Sequence, residues 1–210
     1  MQSRQSDNVV WHQGDLTREA RWSMLRAHGA TLWLTGLSGS GKSTIGAALE
    51  HTLVARGVWS YRLDGDNIRH GLNGDLGFSA EDRVENIRRI AEVARLFADA
   101  GVLAITSFIS PYAADRDAAR ALHDASGVPF LEIFVDTPLA VCEARDPKGL
   151  YRKARAGEIT GFTGIDDPYE APARPELVLR TERDDVARCV EGIVELLVAR
   201  GIVGSTPGPG

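Results

Sequence analysis

Lys42 and Ser43 close an octapeptide, Gly36-Leu37-Ser38-Gly39-Ser40-Gly41-Lys42-Ser43, that fits the pattern G-x-x-x-x-G-K-[ST]. Glycines at those positions let the backbone wrap tightly, so that successive N–H groups converge on phosphate oxygens. Lys42 can set an ammonium beside the outer phosphates and Ser43 a hydroxyl on Mg²⁺, with Thr44 following in the first helical turn. The pattern is only moderately specific alone, and its flanks decide the matter. Residues 30–35 (ATLWLT) form a short apolar run suited to a buried parallel strand. After Lys42, Ile45, Ala48, Leu49, Thr52 and Leu53 recur at helical spacing, and Gly57 supplies a stop. Strand, glycine loop and helix in that order predict a site for a nucleoside triphosphate.

A second pair of chemically capable residues follows the next apolar run. Asp64 and Asp66 stand two apart after residues 58–63 (VWSYRL). One could orient the water shell of a metal while the other takes a proton from an attacking hydroxyl. Asp64-Gly65-Asp66-Asn67 is equally good turn chemistry, and spacing leaves both readings open. Base-recognition and switch patterns of a GTPase are not apparent, so phosphoryl transfer by a kinase is favoured.

The elements that must position these groups alternate along the chain. Strands are predicted at 30–35, 58–63, 102–108, 130–135 and 177–179. Helices are predicted from 42 to 56, from 80 to about 100 behind a capping-box-like Ser79-Ala80-Glu81-Asp82, over 113–125, after Thr137-Pro138, and over 184–199. Residues 64–77 read as loop. Residues 145–172, rich in Arg, Lys, Gly and Pro around one helical piece at 150–156, read as a lid. The alternation implies an α/β fold, a doubly wound, parallel, five-stranded sheet with ligands at the carboxyl ends of the strands. Gly36–Ser43, Asp64–Asn67, residues 109–112 and residues 136–148 should then line one crevice. Residues 1–29 read as a polar arm with Trp11 and Trp22 as apolar anchors, packed on the core or on a second subunit. Residues 30–203 form the domain, and 204–210 a disordered tail.

Composition narrows the partners. The chain has 210 residues, 43% of them hydrophobic, and a net charge of −5, which argues against a nucleic-acid surface. Its lysines are only Lys42, Lys148 and Lys153, so a lysine in a glycine-containing loop carries more information than any of the many arginines. Cys142 and Cys189 lack metal-ligand spacing and cannot build a disulfide framework. No signal peptide and no run of membrane length is present, so a cytoplasmic protein without membrane contact is expected.

Longer stretches carry a resemblance. LDGDNIRHGLNGDLGFSAEDRVENIRRIAEVARLF, SPYAADRDAAR, VDTPLAVCEARDPKGLYRKARAG and FTGIDDPYE, with NVVWH and TREARW near the start, closely resemble adenylylsulfate kinases over roughly residues 8–180. The resemblance implies ATP and Mg²⁺ as cofactors, and transfer of the γ-phosphoryl to the 3′-hydroxyl of adenosine 5′-phosphosulfate. It also implies a likeness to nucleoside monophosphate kinases and a homodimer. A sulfurylase domain is not encoded in these residues, and an ATP sulfurylase is an expected partner.

By the same resemblance, Asp66 matches the carboxylate near the 3′-hydroxyl and Asp64 its partner near Mg²⁺, beside Ser43. Arg69, Arg83 and Asn86 match substrate-binding positions, where guanidiniums suit a dianionic phosphosulfate. Phe78 and Phe162 match aromatics that hold the adenine. Ile109, Lys148, Gly149 and Leu150 complete the expected substrate contacts, Lys148 reaching from the lid. Ser110 matches a serine associated in that family with a phosphorylated intermediate. No His or Lys lies near it in sequence, so the residues themselves favour a substrate-loop role.

Overall fold

The computed structural model describes residues 10, 12 and 14–204; Trp11, most of the segment before Gly14 and residues 205–210 lie outside the described residues. Five parallel strands make one sheet in the order β2-β3-β1-β4-β5. They are β1 (Ala30–Thr35), β2 (Ser60–Asp64), β3 (Leu103–Ser107), β4 (Phe130–Val135) and β5 (Leu177–Leu179). The all-parallel order requires crossovers, and helices supply them on both faces.

Alternation along β1 shows how the two layers are divided. Ala30, Leu32 and Leu34 join one core with Ile45, Leu49 and Leu53 of α2 (Lys42–Ala55) and Ile193 and Leu197 of α8 (Val186–Ala199). Trp33 points into the other core, with Ile87, Ile90 and Ala94 of α4 (Ala80–Ala100) and Ala119 of α5 (Ala113–Ala125). Side chains two apart share a face of a strand, so one apolar run serves both layers. Burial of these side chains, each contributing about 1.5–3 kcal/mol, fixes the strand ends that carry the site.

Several local expectations are refined. Ser79 caps α4, its hydroxyl accepting from Asp82 N at 3.1 Å, but the Asp82 carboxylate turns back to Gly77 N at 3.0 Å. The stretch read as loop after β2 opens with a short helix, α3 (Gly65–Arg69), capped by Asp64, whose Oδ1 accepts from Asp66 N at 3.1 Å. Pro138, not Thr137, is the N-cap of α6 (Leu139–Arg145). Thr137 does not cap: its hydroxyl donates to Ser40 O at 3.2 Å and pairs with Thr181 Oγ1 at 2.7 Å. In the arm, α1 (Arg18–Leu25) docks on the chain's own core, Trp22 Nε1 donating to Asp99 O at 3.0 Å.

Candidate active site

Between β1 and α2 the backbone curls through Gly36, Gly39 and Gly41, all at positive φ. At Gly36 the need for glycine is also steric, since a Cβ there would lie 2.6 Å from Val135 O. Gly41 is the N-cap of α2 and brings no side-chain cap, so the first N–H groups of a 14-residue helix are left for an anion. Lys42 folds across this loop, its Nζ donating to Gly36 O at 2.8 Å, Leu37 O at 2.7 Å and Ser40 Oγ at 3.3 Å. It is 7% exposed, and burial, assisted by the nearby Lys148 charge, pushes its ammonium down to about 8. Ser43 and Thr44 are exposed in the first turn.

At the next strand end Asp64 is buried, paired with Arg62 Nη1 at 2.9 Å while it caps α3. The turn role of Asp64 is seen directly: Oδ1 holds the turn, and Oδ2 pairs with the Arg62 guanidinium. Asp66, one residue into α3, is exposed and forms an ion pair with Lys148. That pair spans the crevice from β2 to the segment between α6 and α7 (Leu150–Arg155). Gly149, at φ 66°, is the N-cap of α7, and Leu150 is half-buried in its first turn. Among the described residues no group of three or more His, Cys, Asp and Glu could hold a metal alone. Ser43 and Asp64 fit a Mg²⁺ that arrives with phosphates and keeps its own waters.

A second cleft, of about 460 Å³, is lined by Phe78, Arg83, Tyr112, Thr160, Gly161 and Asp167 among others. Phe78 is 73% exposed, with the Arg69 guanidinium 4.3 Å over its ring. Arg69 also donates to Gly77 O at 2.9 Å and Leu76 O at 3.2 Å. Arg83 bonds Thr163 Oγ1 at 3.1 Å and Asp167 Oδ2 at 2.6 Å, tying α4 to residues 163–167. Phe162 packs edge-on against Tyr151 at 5.0 Å, while its N–H and that of Gly161 donate to the Asp166 carboxylate at 2.6 Å. Asn86 is buried, its Oδ1 accepting from Asn73 Nδ2 at 2.9 Å.

Ser110, which the resemblance links to a phosphorylated intermediate, is enclosed rather than open to the crevice. It is 1% exposed at φ 41°, and its hydroxyl accepts from Trp33 Nε1 at 3.1 Å and bonds Thr35 Oγ1 at 3.0 Å. A hydroxyl so enclosed is not presented to a transferring phosphoryl group. Ser110 instead fastens the end of β3 to β1, as does Ile109, whose carbonyl accepts from Thr35 Oγ1 at 2.7 Å.

Other residues of the site went unassigned in the sequence. Tyr151, 2% exposed, donates to Ser38 O at 2.9 Å and so ties α7 to the phosphate loop. Arg145 donates to Thr181 Oγ1 at 2.9 Å and Thr181 O at 2.7 Å, and Thr181 donates to Ser40 O at 2.9 Å. Arg116, 2% exposed, pairs with Glu132 at 2.8 Å and holds Ser110 O and Glu170 O, each at 2.6 Å. Asp167, and Tyr169, whose hydroxyl meets Thr35 Oγ1 at 2.9 Å, fall within a stretch that the resemblance covers, so position alone could have marked them; no spacing rule does.

Comparison with known proteins identifies the family. The family model for adenylylsulphate kinase matches residues 28–180. The adenylyl-sulfate kinase of Clostridium acetobutylicum is 55% identical over 197 residues, 94% of this chain and 97% of its own length. That of Saccharomyces cerevisiae is 58% identical over 196 residues, 93% of this chain and 96% of its own. The APS kinase of Mycobacterium tuberculosis, solved in complex with AMPPNP and APS, is 53% identical with a TM-score of 0.79, covering 81% of this chain and 98% of that one. The chain belongs to the adenylylsulphate kinase family.

Proposed function

We propose that this protein transfers the γ-phosphoryl of ATP to the 3′-hydroxyl of adenosine 5′-phosphosulfate, giving 3′-phosphoadenosine 5′-phosphosulfate. The observation that carries this reading is the pairing of a complete phosphate loop with a separate cleft of arginine and aromatic side chains, in a chain more than half identical to adenylyl-sulfate kinases. Such transfer needs little covalent chemistry and much positioning and charge neutralisation.

Placement supports the following division of roles. The loop N–H groups and the start of α2 hold the β- and γ-phosphates, and Lys42 exchanges its carbonyl partners for phosphate oxygens. Ser43 and Asp64 would hold Mg²⁺, which neutralises charge on the phosphates. Asp66 accepts the proton of the 3′-hydroxyl once Lys148 turns to the triphosphate; their exposed ion pair costs under about 1 kcal/mol to open. Arg69 and Arg83 take the phosphosulfate, and Phe78 and Phe162 the adenine. Asn86, Ile109, Gly149 and Leu150 shape that pocket, and Ser110 anchors the loop.

The test is where phosphate lands. With ATP, Mg²⁺ and adenylylsulfate, phosphorus NMR of the product should show a new 3′-phosphomonoester. Preferred transfer to the 5′-phosphate of AMP would overturn the assignment.

We further propose a homodimer. Trp22 is half-buried and bonded to the end of α4, so the surface offered is the exposed apolar group Val54, Trp59, Tyr61 and Leu96 beside the edge strand β2. Sedimentation at micromolar protein checks this. Two free buried cysteines suit a reducing compartment, the cytoplasm, where an ATP sulfurylase would supply the substrate. No helix among the described residues is long and apolar enough to cross a membrane.

A further inference from the structure

Arg83 spends most of its donors inside the protein. Its Nε donates to Phe78 O at 3.1 Å, Nη1 to Thr163 Oγ1 at 3.1 Å and Asp167 Oδ2 at 2.6 Å, and Nη2 to Gly161 O. A guanidinium has five N–H groups, so these bonds leave one, on Nη2. Asp167 is itself held, accepting from the Tyr112 hydroxyl at 3.2 Å on Oδ1 and 3.1 Å on Oδ2. Burial, and then the Asp167 carboxylate, raise the Tyr112 phenol above 10, so it stays a donor. The Arg83 and Asp167 side chains are 16% and 22% exposed, so solvent screens the pair less than it would an exposed one. All three residues line the same cleft.

We propose that Asp167, braced by Tyr112, is a positioning and specificity residue for Arg83. It fixes the guanidinium so that the acceptor nucleotide is gripped through one uncommitted N–H by an arginine whose charge is already partly offset. The inference rests on the functional reading above and deepens it. A free arginine is a two-pronged cation that favours dianionic phosphate. One N–H on a charge-compensated arginine suits a group carrying one negative charge per centre, as the phosphate and the sulfate of a phosphosulfate anhydride each do. A phosphomonoester such as AMP presents a dianion and gains less there. Discrimination thus comes from a carboxylate placed against the wrong ligand as well as from contacts to the right one.

Steady-state kinetics of Asp167→Asn, Tyr112→Phe, Arg83→Ala and the double variant Arg83→Ala/Asp167→Asn provide the test, with calorimetric binding of adenylylsulfate and AMP alongside. Asp167→Asn should raise the KM for adenylylsulfate about tenfold, leave the KM for ATP unchanged and keep kcat within about threefold. Its preference for adenylylsulfate over AMP in binding should shrink. Tyr112→Phe should move both quantities the same way, by about threefold. In the Arg83→Ala background, Asp167→Asn should add nothing, because it acts through the missing guanidinium. An unchanged or lowered KM for adenylylsulfate in Asp167→Asn, or effects that simply multiply in the double variant, would overturn the proposal. If Asp167→Asn does not fold, Tyr112→Phe decides alone, and an unchanged preference in it counts against the idea. Wild-type turnover run in parallel separates the two readings: no product from wild type removes the functional assignment, while the binding preference still reports on Asp167.

Discussion

At pH 8 the protein should take up about half a proton as it binds ATP, and Lys42 should be the group that takes it. Burial pushes this ammonium from 10.5 to about 8, so near pH 8 half the molecules carry a neutral amine. The displacement corresponds to roughly 3 kcal/mol against the charged form. Below about pH 8 both folded and unfolded chains hold the proton, and that cost is fully present. Between about 8 and 10.5 the unfolded chain keeps a proton that the folded one has shed, so stability rises with pH. A triphosphate oxygen ~4 Å away would return on the order of 4 kcal/mol at an effective dielectric of ~20, enough to restore the proton. Uptake should then grow from ~0.1 proton at pH 7 to ~0.5 at pH 8 and ~0.9 at pH 9. Calorimetric titration of ATP in buffers of different ionisation enthalpy measures it directly, with Lys42→Met as the control that has no amine. Equal proton counts for wild type and Lys42→Met at pH 8, or no growth from pH 7 to 9, would refute the assignment of the shift to Lys42.

Three further outcomes are expected. Asp66→Asn keeps the shape of the carboxylate and removes the proton acceptor, so kcat should fall by about 10²–10⁴ in a coupled assay with the KM for adenylylsulfate little changed. Lys148→Ala should leave the melting temperature within about a degree or two, because its pair with Asp66 is exposed on both sides at 54% and 64%, yet lower kcat about 10- to 100-fold. His123, wholly buried, accepts a proton only at a cost: its Nδ1 donates to Ala119 O at 2.7 Å and its Nε2 meets Thr31 Oγ1 at 2.9 Å, and burial lowers it from 6.5. The unfolded chain then binds the proton first as pH falls, so urea midpoints should drop below about pH 6.5, and a His123→Gln variant should lose that particular slope.

What the sequence carried most plainly was the local part of the design. The run 30–35, the glycine loop and the apolar spacing after Lys42 each depend on neighbours within a few residues. The strand, the positive-φ glycines and α2 follow from them directly. Asp64 was harder, because a turn carboxylate and a site carboxylate look alike in a string; only the pairing with Arg62 separates its two oxygens. Ser110 was only partly legible: its place in the loop after β3 was visible, whereas the indole of Trp33 that donates to its hydroxyl belongs to a neighbouring strand. The base of the lid was the least legible. Its order comes from Arg83 reaching across some eighty positions to Thr163 and Asp167, and such a contact leaves no periodicity in either segment. Tyr151 is similar: its hydroxyl finds Ser38 O 113 residues away.

The cations of the site differ in how firmly the protein already holds them, and that difference orders their work. Lys148 has one partner, an exposed carboxylate, and gives it up at almost no cost. Lys42 has three neutral acceptors and a buried charge that none of them neutralises, so an anion entering the loop improves its situation. Arg83 is the opposite case, bonded to four acceptors on two segments and matched by a sheltered carboxylate; freeing it would strand Asp167 as well. Triphosphate binding is therefore expected to proceed by partner exchange at the two lysines, while the acceptor nucleotide meets an arginine that is held in place. The lid then serves two ends at once: its tip around Lys148 is free to turn from Asp66 to the phosphates, and its base around residues 161–167 is part of the acceptor pocket's wall. Between the two, Tyr151 fastens α7 to the phosphate loop on one side and packs against Phe162 on the other. That single buried phenol joins the phosphate loop to residues 161–167.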